Sequence, residues 1–324
     1  MIGKLGIVVI ASLVAALATP SAAAQPAWRA VDLGYLEGGA YPYAKDVNDR
    51  GQVVGACDTT GALEHAFLWD HGGMVDLWAS PGSAWSGEWS VAEAINNRGD
   101  VVGAAQTSER NIHGFVWTDG DAIDLGTVGE GQTSWAYDIN ERGQVVGQSG
   151  GHAVLWEHGA VTDLQIPGVG SSAQGINNAG QIVGWFQPDA ESRYRAFLWD
   201  NGQVRDLGSL GGDGANASEV SERGQVVGTS DTADGVDHPF LWDNGILLDL
   251  WVDEPQWSYA SDVNDRGQVV GGGPGGAFIW ERGAVTYLGG SLATGINERG
   301  QIVGSAGEGN VHKALLWTRN PAVP

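Results

Sequence analysis

Apolar and polar positions alternate along this chain in short bursts, and the bursts themselves recur. An Ala, three residues, an Asn, two more and then Gly-Gln-Val-Val-Gly make a phrase that returns in seven copies. Its central glycines are Gly51, Gly99, Gly143, Gly180, Gly224, Gly267 and Gly300, spaced by 48, 44, 37, 44, 43 and 33 residues. A second phrase alternates with it and ends in Trp69, Trp117, Trp156, Trp199, Trp242, Trp280 and Trp317. Self-similarity at this period means one small unit copied many times. What recurs in every copy is scaffold, and what departs from the pattern is where function is to be sought.

Each unit parses into four short strands. In the sixth they are Ala260 to Val263, Gln268 to Gly271, Ala277 to Trp280 and Val285 to Leu288. The first turn, Asn264-Asp265-Arg266-Gly267, has an Asn whose side chain can bond the backbone ahead of it and a Gly that tolerates positive φ. The second turn, as in Asn201-Gly202 and Asn244-Gly245, carries the pair favoured in two-residue hairpins. No helical period appears after the first residues, so a unit of roughly 40 residues reads as a propeller blade. An Asp-Leu signature marks the outermost strand, and its first copy, Asp32-Leu33, precedes any complete unit, while the last unit stops at Trp317. The strand from Ala30 to Gly34 is therefore expected to pair beside Ala314 to Trp317. That closes an all-β, seven-bladed β-propeller with four antiparallel strands per blade. Ala44, Ala92, Ala136, Ala173, Ala217, Ala260 and Ala293 fall on the innermost strands, where only a small side chain fits.

The N-terminus reads differently. Lys4, an apolar run from Leu5 to Ala18 and the small residues Ser21 to Ala24 have the layout of a secretory signal, residues 1–24, cleaved after Ala24. Residues 25–324 then form a single propeller domain, secreted or periplasmic, with no membrane insertion after cleavage. Cys57 is the only cysteine, so no intramolecular disulfide is available. A formal charge of −23 makes nucleic acid a poor partner.

The phrases His65-Ala66-Phe67-Leu68-Trp69 and Asp262-Val263-Asn264-Asp265-Arg266-Gly267-Gln268-Val269-Val270-Gly271 resemble the HAF-repeat family of bacterial extracellular proteins, over essentially the whole mature chain. The chain departs at Arg195, Gly276 and Lys313, where the family has His, and at Val154 and Leu315, where it has Phe. The resemblance implies export and a repeated β structure. It carries no catalytic residue with it.

Departures from the repeat gather on the loops joining second to third strands and on the crossings between blades. These loops are strongly acidic, with only Arg110 and Arg193 as basic residues, and they hold Trp78, Trp85, Trp89, Trp135, Trp185, Trp251 and Trp257. Tyr43, Trp135 and Tyr259 share one repeat position, expected near the mouth of the central channel. Trp251 and Trp257 bracket Asp253 and Glu254; Glu88 and Asp189 lie beside Trp89 and Trp185. Aromatic planes next to carboxylates suit a glycan or a peptide ligand, through stacking, hydrogen bonds and cation–π contacts. The sequence thus points to a non-catalytic binding propeller with that loop face as its site. A glycan-cleaving enzyme using paired loop carboxylates is the second reading. A Ca²⁺-dependent envelope or matrix protein is the third, with Asp231, Asp234 and Asp237 as weak metal candidates. No other cofactor is implied, and no nucleophile or phosphate-loop motif is present.

Overall fold

The computed structural model of the chain describes residues 27–60, 63–79, 84–129, 133–251, 256–308 and 311–320. The expected secretory signal, residues 1–24, lies outside them, as do Asp253 and Glu254. Seven four-stranded antiparallel sheets form the blades. The innermost strands are Tyr43–Val47, Trp85–Ile95, Ser134–Ile139, Gly170–Ile176, Gly211–Val220, Tyr259–Val263 and Leu292–Ile296, which number blades one to seven. The predicted closure is present. Trp28–Asp32 forms the outer strand of blade seven, pairing Ala30 with Trp317 and Asp32 with Leu315.

Local chemistry explains why each copy folds alike. The outer hairpins turn on two positive-φ residues, such as His71-Gly72 and Asn201-Gly202, as two-residue loops require. The last glycine of the first phrase has a different task. A Cβ at Gly184 would sit 2.0 Å from the Ser172 carbonyl oxygen, and the equivalent glycines meet the same obstacle. The innermost and second strands approach too closely there for any side chain. Just beside that contact every innermost strand carries a bulge, as between Ala44 and Asp46, and the extra residue brings both it and the next residue to the channel.

Burial fills the wedges between blades. The seven innermost alanines are buried, the repeat Trp are buried or half-buried, and Phe67, Phe115, Phe197, Phe240 and Phe278 have no exposed surface. The histidines are structural. His65, His113, His152 and His238 each face the Asp of their own blade's outer strand, at 2.9, 2.9, 3.7 and 3.0 Å. Where another residue stands at this His position, the pair survives as Arg195–Asp206 and Lys313–Asp32. In blade six His and Asp are both gone, and the Tyr287 ring covers Gly275 next to Gly276.

Two rings of hydrogen bonds tie the blades together at the first-turn end of the channel. The Asn48 side-chain amide donates to the Asn96 carbonyl, Asn96 to Asn140, Asn140 to Asn177, and Asn177 to Ser221. Asn264 donates to Asn297, and Asn297 back to Asn48. In the second ring the backbone N–H of Asp49 donates to the Asn97 side chain, and so on through Glu141, Asn178 and Glu222, resuming from Asp265 to Glu298 and back to Asp49. Both rings break once, between blades five and six, where the fifth copy has Ser221 in place of Asn.

Candidate functional site: the two ends of the central channel

At the loop end of the channel, blades one to three bring aromatic and acidic side chains into one connected group. The Tyr43 hydroxyl donates to Glu64 at 2.9 Å, and the Trp89 indole N–H donates to the other oxygen of the same carboxylate at 2.7 Å. Trp89 meets Trp135 edge to face at 5.5 Å, and Trp135 stacks on Tyr137. The Trp135 indole bonds Glu93 at 3.3 Å; Glu93 also takes the Lys45 ammonium at 2.8 Å, which lies over the Tyr43 ring. Burial first, then the Glu64 carboxylate, drives the Tyr43 hydroxyl strongly upward, so it stays a donor. Across the channel mouth Trp257 is 55 % exposed and lies parallel to Tyr259. On blades four and five Trp185 packs on the exposed Tyr194 at 4.4 Å, beside a cavity of about 410 Å³ lined by Arg193 and Asp231.

The structure does not gather every predicted residue into this site. Trp85 and Trp251 are 5 % exposed, as core residues. Trp85 packs with Trp78 and Phe115 and gives its N–H to the Ala122 carbonyl; Trp251 packs on Phe278. The gap between blades widens outward, and a large ring fills it. The sequence held a signal for this: Trp78 and Trp251 both follow an Asp-Leu pair, so they recur by position. Glu88 is exposed, 3.7 Å from Arg110. Asp189 organises its own loop, accepting from the Ser192 hydroxyl and two backbone N–H groups, which hold its carboxyl below the usual range.

The metal candidates fare no better. Arg193 holds Asp231 at 2.8 Å, and Asp237, opposite Asp231 across the hairpin, is raised by its hydrogen bond to that carboxylate. Asp234 is exposed on the same hairpin. Among the described residues no group of three or more His, Cys, Asp or Glu is placed to hold a metal ion. A bonded carboxyl pair also leaves no room for a sugar and a water between its members. Cys57 is fully buried, its thiol raised chiefly by burial, so it is not poised as a nucleophile.

Sequence reasoning missed the channel interior. Two residues after the repeat Ala stand Asp46, Asp138, Glu219 and Asp262 in blades one, three, five and six, and Ala94, Gly175 and Gly295 in the others. The channel cavity they line has a volume of about 240 Å³. Each Asp takes the N–H of its own next residue and one from the following blade: Asp46 from Ile95, Asp138 from Ile176, Asp262 from Ile296. Burial outweighs those donors. Asp46 is pushed up to about 6, Asp138 to about 7 and Asp262 to about 8, with the Asp46 carboxylate adding to the latter two. Glu219 is raised as well, by burial and then by Asp138. Its Oε1 accepts only from its own Val220, and it leans toward blade four, where Gly175 has no side chain to block it. Around the first-turn mouth stand Asp49, Glu141, Glu222, Asp265 and Glu298. The arginines of the same turns, Arg50, Arg98, Arg142, Arg223, Arg266 and Arg299, balance this rim over the face as a whole.

No protein-family model matches the chain, and no curated protein does. Solved structures match as folds. The WD40 β-propeller domain of Doa1 is 14 % identical, with a TM-score of 0.50 over 90 % of this chain and 98 % of that one. The β-propeller domain of the Trilobed protease from Pyrococcus furiosus is 11 % identical, with a TM-score of 0.53, covering 86 % of this chain and 95 % of that one. An extracellular domain from B. thetaiotaomicron is 10 % identical, with a TM-score of 0.54; 90 % of this chain is covered, but only 40 % of that one. At these identities the likeness is one of fold. Among the described residues no helix is long and apolar enough to cross a membrane.

Proposed function

We propose that this chain is an exported recognition propeller that binds, without chemistry, a peptide or glycan at the loop end of its channel. The observation that carries the reading is the connected group Tyr43, Glu64, Trp89, Glu93 and Trp135. Two carboxylates are held rigidly among aromatic rings at the mouth of an acidic channel. Charge favours a peptide with basic side chains over a neutral sugar. Lys45, between Glu93 and the Tyr43 ring, shows how an ammonium group is accommodated there. Trp257 and Tyr259 add a flat stacking surface on the opposite wall. Export rests on residues 1–24 and the resemblance to the HAF-repeat family.

Parallel screening on peptide and glycan arrays tests this. Binding to basic peptides that drops at least tenfold in Trp89→Ala and Trp257→Ala is the expected result. Ligands on either array that bind both variants as well as the parent protein would move the site elsewhere. No second reading gains an observation. The carboxylates best suited to glycan cleavage, Asp253 and Glu254, lie outside the described residues, and no Ca²⁺ site forms among those described.

A further inference from the structure

The one interruption of the inter-blade rings leaves acceptors without donors. In the six other copies one amide nitrogen lies 2.7–3.3 Å from two oxygens at once: a side-chain oxygen four residues ahead in its own blade and the turn carbonyl of the next blade. Ser221 cannot supply it. Its hydroxyl oxygen already accepts from the N–H groups of Arg223 and Gln225. Gln225 Oε1 is accordingly buried with no hydrogen-bond partner, and so is Asp265 Oδ1, the oxygen that the second ring would have joined to blade five. The turn carbonyl of Asn264 lacks its cross-blade donor. Two acceptors, Gln225 Oε1 and the Asn264 carbonyl, therefore face the place where the other blades keep an amide nitrogen, and Asp265 Oδ1 is left without a partner in the second ring.

Charge says what kind of nitrogen. Glu219, Glu222, Asp262 and Asp265 surround the gap, on the two blades flanking it. Among the described residues no Lys or Arg pairs with any of them, and the nearest channel lysine, Lys45, is taken by Glu93. Water has a donor for each of the two acceptors but brings no charge among these acids. A primary ammonium offers three donors and no acceptor. We propose that the gap between blades five and six is a seat for a primary alkylammonium group, bound by Gln225 Oε1 and the Asn264 carbonyl, with its remaining N–H and its charge turned to the surrounding acids. The group belongs either to a small amine or to a lysine side chain reaching in from the first-turn side. This seat is at the opposite end of the channel from the mouth proposed above and does not depend on it.

Titration calorimetry at low ionic strength, with 1,5-diaminopentane as the probe, tests the seat. One site per chain is expected, weakened at least tenfold in Ser221→Asn, whose amide would occupy the seat, and several-fold in Glu222→Gln. Trp89→Ala leaves it unchanged. A short lysine peptide binding more tightly than the diamine assigns the ammonium to a partner protein; the reverse assigns it to a free amine. Equal binding of the diamine by Ser221→Asn would overturn the proposal. So would tetramethylammonium competing as well as the diamine, because it has charge but no N–H, or Ca²⁺ displacing the amine at lower concentration.

Discussion

Replacing Ser221 by Asn should make this protein more stable, against the usual direction of mutation. The amide would have two acceptors waiting, Gln225 Oε1 and the Asn264 carbonyl, at the distances that Asn177 keeps from Gln181 and Ser221, 2.8 and 3.0 Å. Its oxygen would replace the Ser hydroxyl, improving contacts to the Arg223 and Gln225 N–H groups from 3.3 and 3.2 Å toward the 3.0 Å seen at Asn48. Each net hydrogen bond contributes about 1 kcal/mol. The gain is then about 2 kcal/mol, a rise in Tm of about 3 °C for a domain of this size. Urea unfolding should show a higher midpoint with an unchanged slope, since the surface exposed does not alter. The inverse change, Asn264→Ser, removes two such bonds and should lower the midpoint by a similar amount. A Ser221→Asn protein no more stable than its parent, measured without any amine, would show that the ring bonds are not additive devices. The reasoning would then fail.

Three further outcomes follow from the same geometry. Gly184→Ala should cost at least about 3 kcal/mol by denaturant melt, since its Cβ would overlap a backbone carbonyl at 2.0 Å, whereas Gly72→Ala, with open space around it, should cost about 1 kcal/mol for its positive φ. Ser90→Ala should lose about 1 kcal/mol in the same measurement, because its hydroxyl accepts the Ala66 N–H, while Ser258→Ala should be neutral: the equivalent donor position is Pro239, which has no N–H. Stability should fall between pH 5 and pH 8.5. Asp46, Asp138, Asp262 and Glu219 titrate higher in the folded protein than unfolded, so the folded state binds more protons, and their contribution is whole below the usual carboxylate range and lost as pH rises through about 6 to 8. His65, raised chiefly by its bond to Asp76, acts in the same sense, and a thermal midpoint that climbs with pH over this span would contradict both assignments.

The seven blades and their closure were legible because each rests on short-range chemistry repeated in the sequence. Asn-x-x-Gly, the outer Gly turn and the Asp-Leu strand each have a local cause. The site was legible only in part. Tyr43, Trp89, Trp135, Trp257 and Tyr259 do stand at the channel mouth, but Trp85 and Trp251 are core: Trp251 shares with Trp78 its place after an Asp-Leu pair, whereas nothing in the segment of Trp85 distinguishes a ring facing solvent from one wedged between blades. Glu64 and Glu93 escaped notice because they are ordinary strand residues until the ring brings blades one, two and three together. Asp46, Asp138, Glu219 and Asp262 recur at one position in four of seven copies, which reads as partial scaffold. Their meaning comes from convergence on one axis, a relation between residues dozens of positions apart.

The placement of Trp28–Asp32 in blade seven has a kinetic corollary. Its partner strand, Val311–Arg319, is made after every other strand of the ring, so until then the nascent chain can build only an arc with two raw edges. Joining Trp28 to Arg319 bridges the contour of all seven blades, a slow late event whose entropic cost grows only logarithmically with length. Once that latch is fastened, the first and last strands protect each other. Escape from the folded state that opens the ring must then begin by peeling Trp28–Asp32 from the edge of that sheet.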